Sequence, residues 1–191
     1  MDNPRLSHLL AAKRILRYVK GTLNYGLLFS KCGRSVSHEI YGYCDSDWCG
    51  DKSDRKSTSG YVFVMSRAPI SWCSKKQSVV ALSSCKAEYI AALMGACQAL
   101  WLENLMTEMK IRREEPTKML IDNKLAISLA KHPVAHGRSK HIETRFHFLR
   151  DQVSKGKLEL KYCNILTKTL KGDRFKMARD MIGVQPITNL N

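Results

Sequence analysis

The alternation of short β-forming segments with longer helical ones limits this chain to few folds. Three short segments rich in β-branched and aromatic residues come first and are predicted strands: residues 40–44, 60–66 and 70–74. Arg-Ala-Pro separates the second strand from the third and predicts a hairpin. The polar, turn-rich stretch between the first two strands predicts a connection, so a three-stranded meander is expected.

The rest of the chain changes to a mostly helical pattern. Ser83 or Ser84 is the predicted N-cap of a long helix that runs to about Met109. The later predictions are a strand at 118–121, a helix at 124–131, a helix near 141–154, a strand at 157–162 and a basic helix at 164–182 that is interrupted near Gly172. This order favours an α/β fold in which helices pack on a mixed five-stranded sheet.

The first 38 residues follow a different pattern. Apolar residues recur at three- and four-residue spacing over 6–19 with basic residues between them, which predicts an amphipathic helix that Gly21 ends. A short extended piece at 25–29 and a polar stretch follow. We therefore predict a boundary near 31–38, with an N-terminal region at 1–38 and a domain at 39–191.

Composition and charge narrow the class of protein. With 191 residues, of which 44% are apolar, the chain can bury an ordinary core. No apolar run approaches a membrane span and the basic start lacks a cleavable signal, so an intracellular, soluble protein is expected. The 7 cysteines contain no C-x-x-C pair and are predicted to be buried hydrophobes.

The net charge of +15 is unevenly distributed. Residues 1–38 carry 7 Lys and Arg against 1 acid, residues 39–111 balance at 8 against 8, and residues 112–191 carry 17 against 8. Basic flanks around a locally neutral middle suit a polyanion that is held by its phosphates. Charge alone is equally compatible with an ordinary basic surface.

Three acids stand where apolar segments begin or end: Asp45, Glu88 and Asp122. A sheet that sets the first strand beside the fourth brings them together, and carboxylates are the ligands that a hard divalent cation prefers. Glu88 lies at the margin of the apolar face of its helix and needs a cation or a donor there. Asp122 has an alternative role, because an Asp between a strand and a helix is often only an N-cap.

With strand–Asp, helix–Glu and strand–Asp in this order, the chain resembles the ribonuclease H fold. Its sequence is similar to that of the ribonuclease H domain of Ty1/copia-type retrotransposon Pol polyproteins over about residues 39–171. The matching segments are YGYCDSDWCGDKSDRKSTSGYVF, ISWCSKKQSVVALSSCKAEYIAA, ALWL, IDNKLAISLAKHPVAHGRSKHIETRFHFLRDQVSKGKLELKY and ILTKTL. Upstream, HLLAAKRILRYVKGTLNYGLLF resembles the end of the reverse transcriptase that precedes this domain.

The resemblance implies hydrolysis of the RNA strand of an RNA–DNA hybrid with two Mg²⁺ ions, for which Mn²⁺ is a possible substitute. It implies that Asp45 bridges the ions and that Glu88 and Asp122 each hold one. Asp47 competes with Asp45, which is favoured because it directly follows the predicted strand. The reverse transcriptase portion of the same polyprotein is an implied partner, whereas the oligomeric state is left open.

The chain departs from the family after the strand at 157–162. The family usually carries an Ala-Asp before the ILTK-like segment, and this Asp supplies a fourth carboxylate; here Asn164 takes that place. A neutral amide should hold the second ion more weakly. Asp173 reaches the site only if the last helix repacks. Two alternatives follow: a degenerate remnant that binds nucleic acid without cutting, and a plain basic RNA-binding module.

Residues in loops and at strand ends are candidate contacts to a hybrid. Basic residues are expected to meet phosphates and polar residues to meet RNA 2′-hydroxyls. The candidates are Lys56, Ser59, Lys75, Lys76, Gln77, Asn123, Arg138 and Lys140. Each of them is also compatible with an ordinary solvated surface. His136, His141 and His147 do not line one helix face and are predicted to be structural.

Overall fold

The computed structural model describes residues 3–29, 39–111, 115–132, 144–163 and 172–189. The helices are α1 (Leu6–Gly21), α2 (Ser84–Glu108), α3 (Lys124–Lys131), α4 (Thr144–Ser154) and α5 (Gly172–Met181), with a short 3₁₀ turn at Ile187–Asn189. The strands are β1 (Tyr25–Leu27), β2 (Ile40–Asp47), β3 (Thr58–Met65), β4 (Ala68–Lys76), β5 (Thr117–Ile121), β6 (Leu158–Tyr162) and β7 (Val184–Pro186).

Five strands form the central sheet in the order β4-β3-β2-β5-β6. The pairs β2–β3 and β3–β4 are antiparallel, whereas β2–β5 and β5–β6 are parallel. The first strand of the predicted series therefore lies beside the fourth, and the mixed five-stranded α/β sheet is confirmed. This arrangement brings the carboxyl ends of β2, β5 and β6 to one edge.

The hairpin between β3 and β4 turns earlier than the sequence predicts. Ser66 and Arg67 occupy the turn with φ angles of 51° and 69°, and Ala68 and Pro69 already belong to β4. Two left-handed residues give the turn the twist that a two-residue hairpin needs. The ladder shifts register between Phe63 and Val64, and Pro69 is tolerated there because β4 is an edge strand.

Helix α2 covers one face of the sheet. Ser83 is its N-cap, since its hydroxyl accepts a hydrogen bond from the Lys86 backbone N–H at 3.2 Å. Alanines and one glycine on the inner face permit a close approach to the strands. A Cβ on Gly95 would stand 2.3 Å from Cys44 Sγ, so this glycine is required by the distance between α2 and β2.

The N-terminal region is only partly separate from the domain. All of α1 is solvent-exposed, including its apolar stripe. By contrast, β1 pairs antiparallel with β7 near the other end of the chain, and the Arg179 guanidinium lies 4.5 Å from the centre of the Tyr25 ring. The predicted boundary at 31–38 lies outside the described residues and stays a prediction.

One further bound differs from the sequence prediction. Strand β2 continues to Asp47 instead of ending at Cys44, so Asp45 lies within the strand. The β3 pairing extends it, since Asp45 is opposite Gly60 and Asp47 opposite Thr58. Of the basic helix predicted at 164–182, the described part is α5 from Gly172.

Candidate active site

Asp45 and Glu88 form the centre of the candidate site. The backbone N–H of Ser46 lies 2.7 Å from Asp45 Oδ1 and 3.3 Å from Glu88 Oε1, so it bridges the two carboxyl groups. A hydrogen bond also joins the two side chains directly. Glu88 is only 5% exposed, although it belongs to a residue type that is seldom buried without a partner.

The electrostatics of this pair are those of two carboxyl groups sharing a proton. Burial, followed by the negative charge of Asp45, raises the pKa of Glu88 to about 8. Burial also raises the pKa of Asp45, with smaller contributions from the charges of Asp122 and Asp47. Each group stays ionised only at a free-energy cost, and a cation placed between them would remove that cost.

Asp122 stands at the end of the neighbouring strand. Cys44 of β2 pairs with Ile121 of β5, so Asp45 and Asp122 follow side by side on strands spaced about 4.8 Å apart. Asn123 is the N-cap of α3, since its side-chain oxygen accepts from the Ala126 N–H at 3.0 Å. The alternative role of Asp122 as N-cap is therefore taken by its neighbour.

Tyr162 is the partner of Asp122 across the next strand. The Tyr162 hydroxyl donates a hydrogen bond to Asp122; desolvation, the charge of Asp122 and this bond raise the Tyr162 pKa. The Lys124 ammonium lies 4.8 Å from the centre of the same ring. Asp122 is thus held at the strand end by a polar contact. Its negative charge contributes to the raised pKa of both Asp45 and Glu88.

The carboxylates fit a divalent cation, although they do not form a compact ligand cluster. Oxygen Oε2 of Glu88 is buried and has no hydrogen-bond partner among the described residues. Its lone pairs are therefore available to bind a cation. Over the same ranges, no group of three or more His, Cys, Asp and Glu side chains is close enough to hold a metal ion. Asp45 and Glu88 are the close pair, and Asp122 stands further off.

Other predicted acids and histidines fall outside this pair. Asp47 is exposed and accepts a hydrogen bond from the Thr58 backbone N–H. Asp173 lines a cavity of about 760 Å³ between α5 and the sheet, together with Tyr43 and Lys161. Asn164, His136 and His141 lie outside the described residues, and His147 is exposed on α4.

The candidate contacts to nucleic acid divide into surface and interior residues. Ser59 and Gln77 are 1% and 5% exposed, and the Gln77 amide donates to the Ser59 hydroxyl at 2.8 Å. This placement argues against a direct contact with a hybrid and corrects the prediction for both. Lys75 is exposed, Lys56 and Asn123 are half-buried, and Arg138 and Lys140 lie outside the described residues.

Lys76 is already engaged within the protein. Its ammonium forms ion pairs with Asp51 and, at 2.9 Å, with Asp54, both in the loop between β2 and β3. Hydrogen bonds to these two carboxylates raise the pKa of Lys76. A phosphate would have to compete with them, so Lys76 is better placed to order the loop.

Sequence reasoning did not find three residues that shape the site: Ser46, Trp48 and Tyr162. A serine between two aspartates carries no sequence signal for a backbone N–H that bridges two carboxyl groups. Trp48 follows Asp47 and is half-exposed, with its indole N–H donating to the Ala81 carbonyl at 3.0 Å. A tryptophan in an otherwise polar loop is the sequence feature that could have identified Trp48 as a residue that orders the loop beside the site.

Known proteins similar to this chain were found among transposon polyproteins. It is 41% identical over 191 residues to the retrovirus-related Pol polyprotein from transposon RE1 of Arabidopsis thaliana, with 96% of this chain and 13% of that protein covered. It is 38% identical, with the same coverage, to the Pol polyprotein from transposon RE2 of the same plant. No protein-family model matches.

A likeness to solved structures was also found. The N-terminal ribonuclease H domain of a Mycobacterium tuberculosis protein, solved as a fusion with maltose-binding protein, matches with a TM-score of 0.46 and 15% identity. The match covers 74% of this chain and 96% of that chain.

The strand order, the mixed pairing and the covering helices define an α/β protein with a ribonuclease H-like fold, as predicted. The chain belongs to the family of retrovirus-related Pol polyproteins from copia-type transposons. It spans 13% of the length of the two relatives described above. Across the described ranges, no helix combines the length and the apolar character needed to cross a membrane.

Proposed function

We propose that this chain carries a ribonuclease H-type endonuclease domain that hydrolyses the RNA strand of RNA–DNA hybrids during retrotransposon reverse transcription. The observation that carries the proposal is the Asp45–Glu88 pair, buried and bridged by one backbone N–H, with Asp122 beside it at the end of the next strand. Membership of the Pol family supports the same activity, with the reverse transcriptase of the polyprotein as partner.

Two Mg²⁺ ions, or Mn²⁺ in their place, would activate water and stabilise the leaving 3′-oxygen when bound. Asp45, Glu88 and Asp122 would supply carboxylate oxygens for them, which are the ligands that Mg²⁺ prefers. Burial beside Asp45 favours the neutral form of Glu88, so this side chain would have to lose its proton to serve as a ligand. Tyr162 orients Asp122 through its hydroxyl, and no protein nucleophile is needed.

The basic surface is proposed to hold the hybrid by its phosphates. The excess of 32 Lys and Arg over 17 acids favours polyanion binding that weakens as salt rises. Lys75 is exposed at the end of β4 and, like Lys56 in the loop before β3, is a proposed phosphate contact. Arg138 and Lys140 stay candidates from the sequence alone.

Cleavage of an end-labelled RNA–DNA hybrid in Mg²⁺ tests the activity. We expect the wild-type chain to cut the RNA strand, and Asp45→Asn to lower the rate by at least about 100-fold, because a charged ligand is replaced by a neutral amide. Asp151→Asn is the matched control, since Asp151 pairs with Lys155 on the surface of α4. Equal rates for wild type and Asp45→Asn would reject the site assignment.

A second candidate function is hybrid binding without cleavage, and Asn164 in place of the family's fourth acid favours it. Asn164→Asp should then create or strongly raise cleavage in Mg²⁺, whereas hybrid binding measured by fluorescence anisotropy should change little. A plain RNA-binding module would instead bind with the same affinity with and without Mg²⁺. Full cleavage by the wild type, unchanged by Asn164→Asp, would reject both alternatives.

A further inference from the structure

Gln77 forms a buried polar junction behind the candidate site. It follows β4, and its backbone N–H donates to the Ser57 carbonyl at 2.8 Å, which turns the side chain inward. Its amide nitrogen Nε2 lies 2.8 Å from Ser59 Oγ, 3.0 Å from the Ala87 carbonyl oxygen and 3.2 Å from Ser46 Oγ. One side chain thus contacts β2, β3 and the first turn of α2.

The orientation of this amide is fixed by its partners. The Ala87 carbonyl can only accept, so the group facing it must be the NH₂ and not the amide oxygen. Oxygen Oε1 then points to a place where, among the described residues, it has no hydrogen-bond partner. A buried amide that leaves its own acceptor unpaired calls for a reason beyond packing.

The partners of Gln77 are the immediate neighbours of both carboxylates. Ser46 follows Asp45, and its backbone N–H bridges Asp45 and Glu88. Ala87 precedes Glu88 on α2. The Gln77 amide therefore joins the segment that carries Asp45 to the helical turn that carries Glu88, without touching either carboxyl group.

We propose that Gln77 is a positioning residue that holds the first turn of α2 against the end of β2, and so keeps Asp45 and Glu88 at the spacing that a shared divalent cation requires. The inference rests on the proposed function for its activity readout. Its other readout, cation binding in the absence of substrate, is independent of cleavage.

The test compares Gln77→Met with Gln98→Met. Gln98 lies on α2, and its amide nitrogen is 3.1 Å from Ser71 Oγ, so it offers an equivalent Gln–Ser bond away from the site. Mg²⁺ affinity is measured by isothermal titration calorimetry on the full chain without nucleic acid. We expect Gln77→Met to weaken it about 10- to 100-fold, as loss of a supporting partner does in other metal sites, and Gln98→Met to leave it unchanged.

Cleavage kinetics separate positioning from substrate binding. Gln77→Met should lower kcat by a similar factor and leave KM for the hybrid unchanged, because Gln77 lies in the interior. Ser46→Ala serves as a milder variant if Gln77→Met does not fold, since it removes one hydroxyl and keeps the bridging backbone N–H. It should weaken Mg²⁺ binding in the same direction by about 3- to 10-fold.

The outcomes are distinct. A folded Gln77→Met with wild-type Mg²⁺ affinity and kcat would overturn the inference, as would a loss of thermal stability alone. If only Ser46→Ala folds, wild-type Mg²⁺ affinity in that variant would overturn it equally. If the wild type binds Mg²⁺ without cutting, the proposed nuclease fails while the affinity ratio still decides the role of Gln77. A wild type that neither binds Mg²⁺ nor cuts would reject both.

Discussion

At the scale of single residues, Glu88 is a position where the proposed function requires a charged side chain that lowers the stability of the fold. It is buried on α2, where desolvation and the charge of Asp45 both oppose its ionisation. A hydrocarbon side chain would pack there without that cost. The carboxyl group is nevertheless bridged to β2 through the Ser46 N–H, and the proposed function assigns it to a cation.

The pH dependence of stability should report this carboxyl group. Its pKa rises from 4.5 in the unfolded chain to about 8 in the fold, so the unfolded state loses its proton first as pH increases. The Glu88 contribution to the unfolding free energy is therefore highest below pH 4.5 and is lost as pH rises to about 8. One pKa unit corresponds to about 1.4 kcal/mol, so the full shift would correspond to about 5 kcal/mol. Solvent screening lowers this upper bound, and we expect a loss on the order of 2–4 kcal/mol.

Glu88→Gln removes that titration. In metal-free buffer at pH 8 we expect this variant to be more stable than wild type, with a flatter profile between pH 5 and pH 8 in urea denaturation. Glu159→Gln is the control, because Glu159 is a half-exposed strand residue paired with Lys161. Parallel profiles for wild type and Glu88→Gln would show that Glu88 has an ordinary pKa.

At the scale of elements, the contact between α2 and the sheet sets the site geometry. Gly95 allows the helix to approach β2 and β5 so closely that a Cβ there would stand 2.3 Å from Cys44 Sγ and 3.0 Å from Met119 Cε. Glu88 is two turns earlier on the same helix. The helix position that Gly95 permits is therefore also the position that brings Glu88 to Asp45.

Gly95→Ala should destabilise the protein despite the better helix propensity of alanine. Overpacking against Cys44 costs about 1–3 kcal/mol, and the propensity gain of about 1 kcal/mol offsets only part of it. In a Cys44→Ala background the same change should be neutral or stabilising, because the opposing sulfur is gone. Thermal denaturation of the four proteins in this cycle measures the coupling, and strict additivity would contradict the steric explanation.

At the scale of the whole molecule, the segments that carry β1 and β7 lie next to each other and next to the β3–β4 hairpin turn. Gly183 has a φ of +75°, and a Cβ there would stand 2.4 Å from the Arg67 carbonyl oxygen and 2.9 Å from Pro69 Cδ. Its own carbonyl accepts from the Leu28 N–H at 3.2 Å. This glycine thus joins the turn after α5 to the β3–β4 hairpin and to the N-terminal segment.

Gly183→Ala should cost about 2–4 kcal/mol, from about 1–2 for a left-handed alanine and the rest from the clash. Gly156→Ala is the matched control: its φ is +68°, and nothing lies within 4 Å of the added Cβ. It should cost only the conformational part. Equal losses for the two variants in urea denaturation would mean that the C-terminal turn does not pack on the hairpin in solution.

The elements follow from local sequence because their signals are local. The helix at 124–131 and the Ser83 cap of α2 are examples, since helix starts and caps depend on residues within one turn. The length of β2 beyond Cys44 was not predictable from local signals, because pairing with β3 extends it through Asp47. The hairpin turn at Ser66 and Arg67 was missed for a similar reason: the cross-strand register selected it over the Pro-containing alternative.

For the site, the sequence by itself determined which acids are present and their order along the chain, and it predicted that a sheet with the first strand beside the fourth would bring them together. Only the structure established that this pair of strands is parallel. Only the tertiary structure decided that Asp45 and Glu88 share one backbone donor, that Tyr162 holds Asp122, and that Gln77 lies behind the site and not on its surface. Such contacts join residues tens of positions apart, and their hydrogen-bond distances are set by the packing of α2 on the sheet. The local sequence around each residue does not determine how closely α2 packs on the sheet.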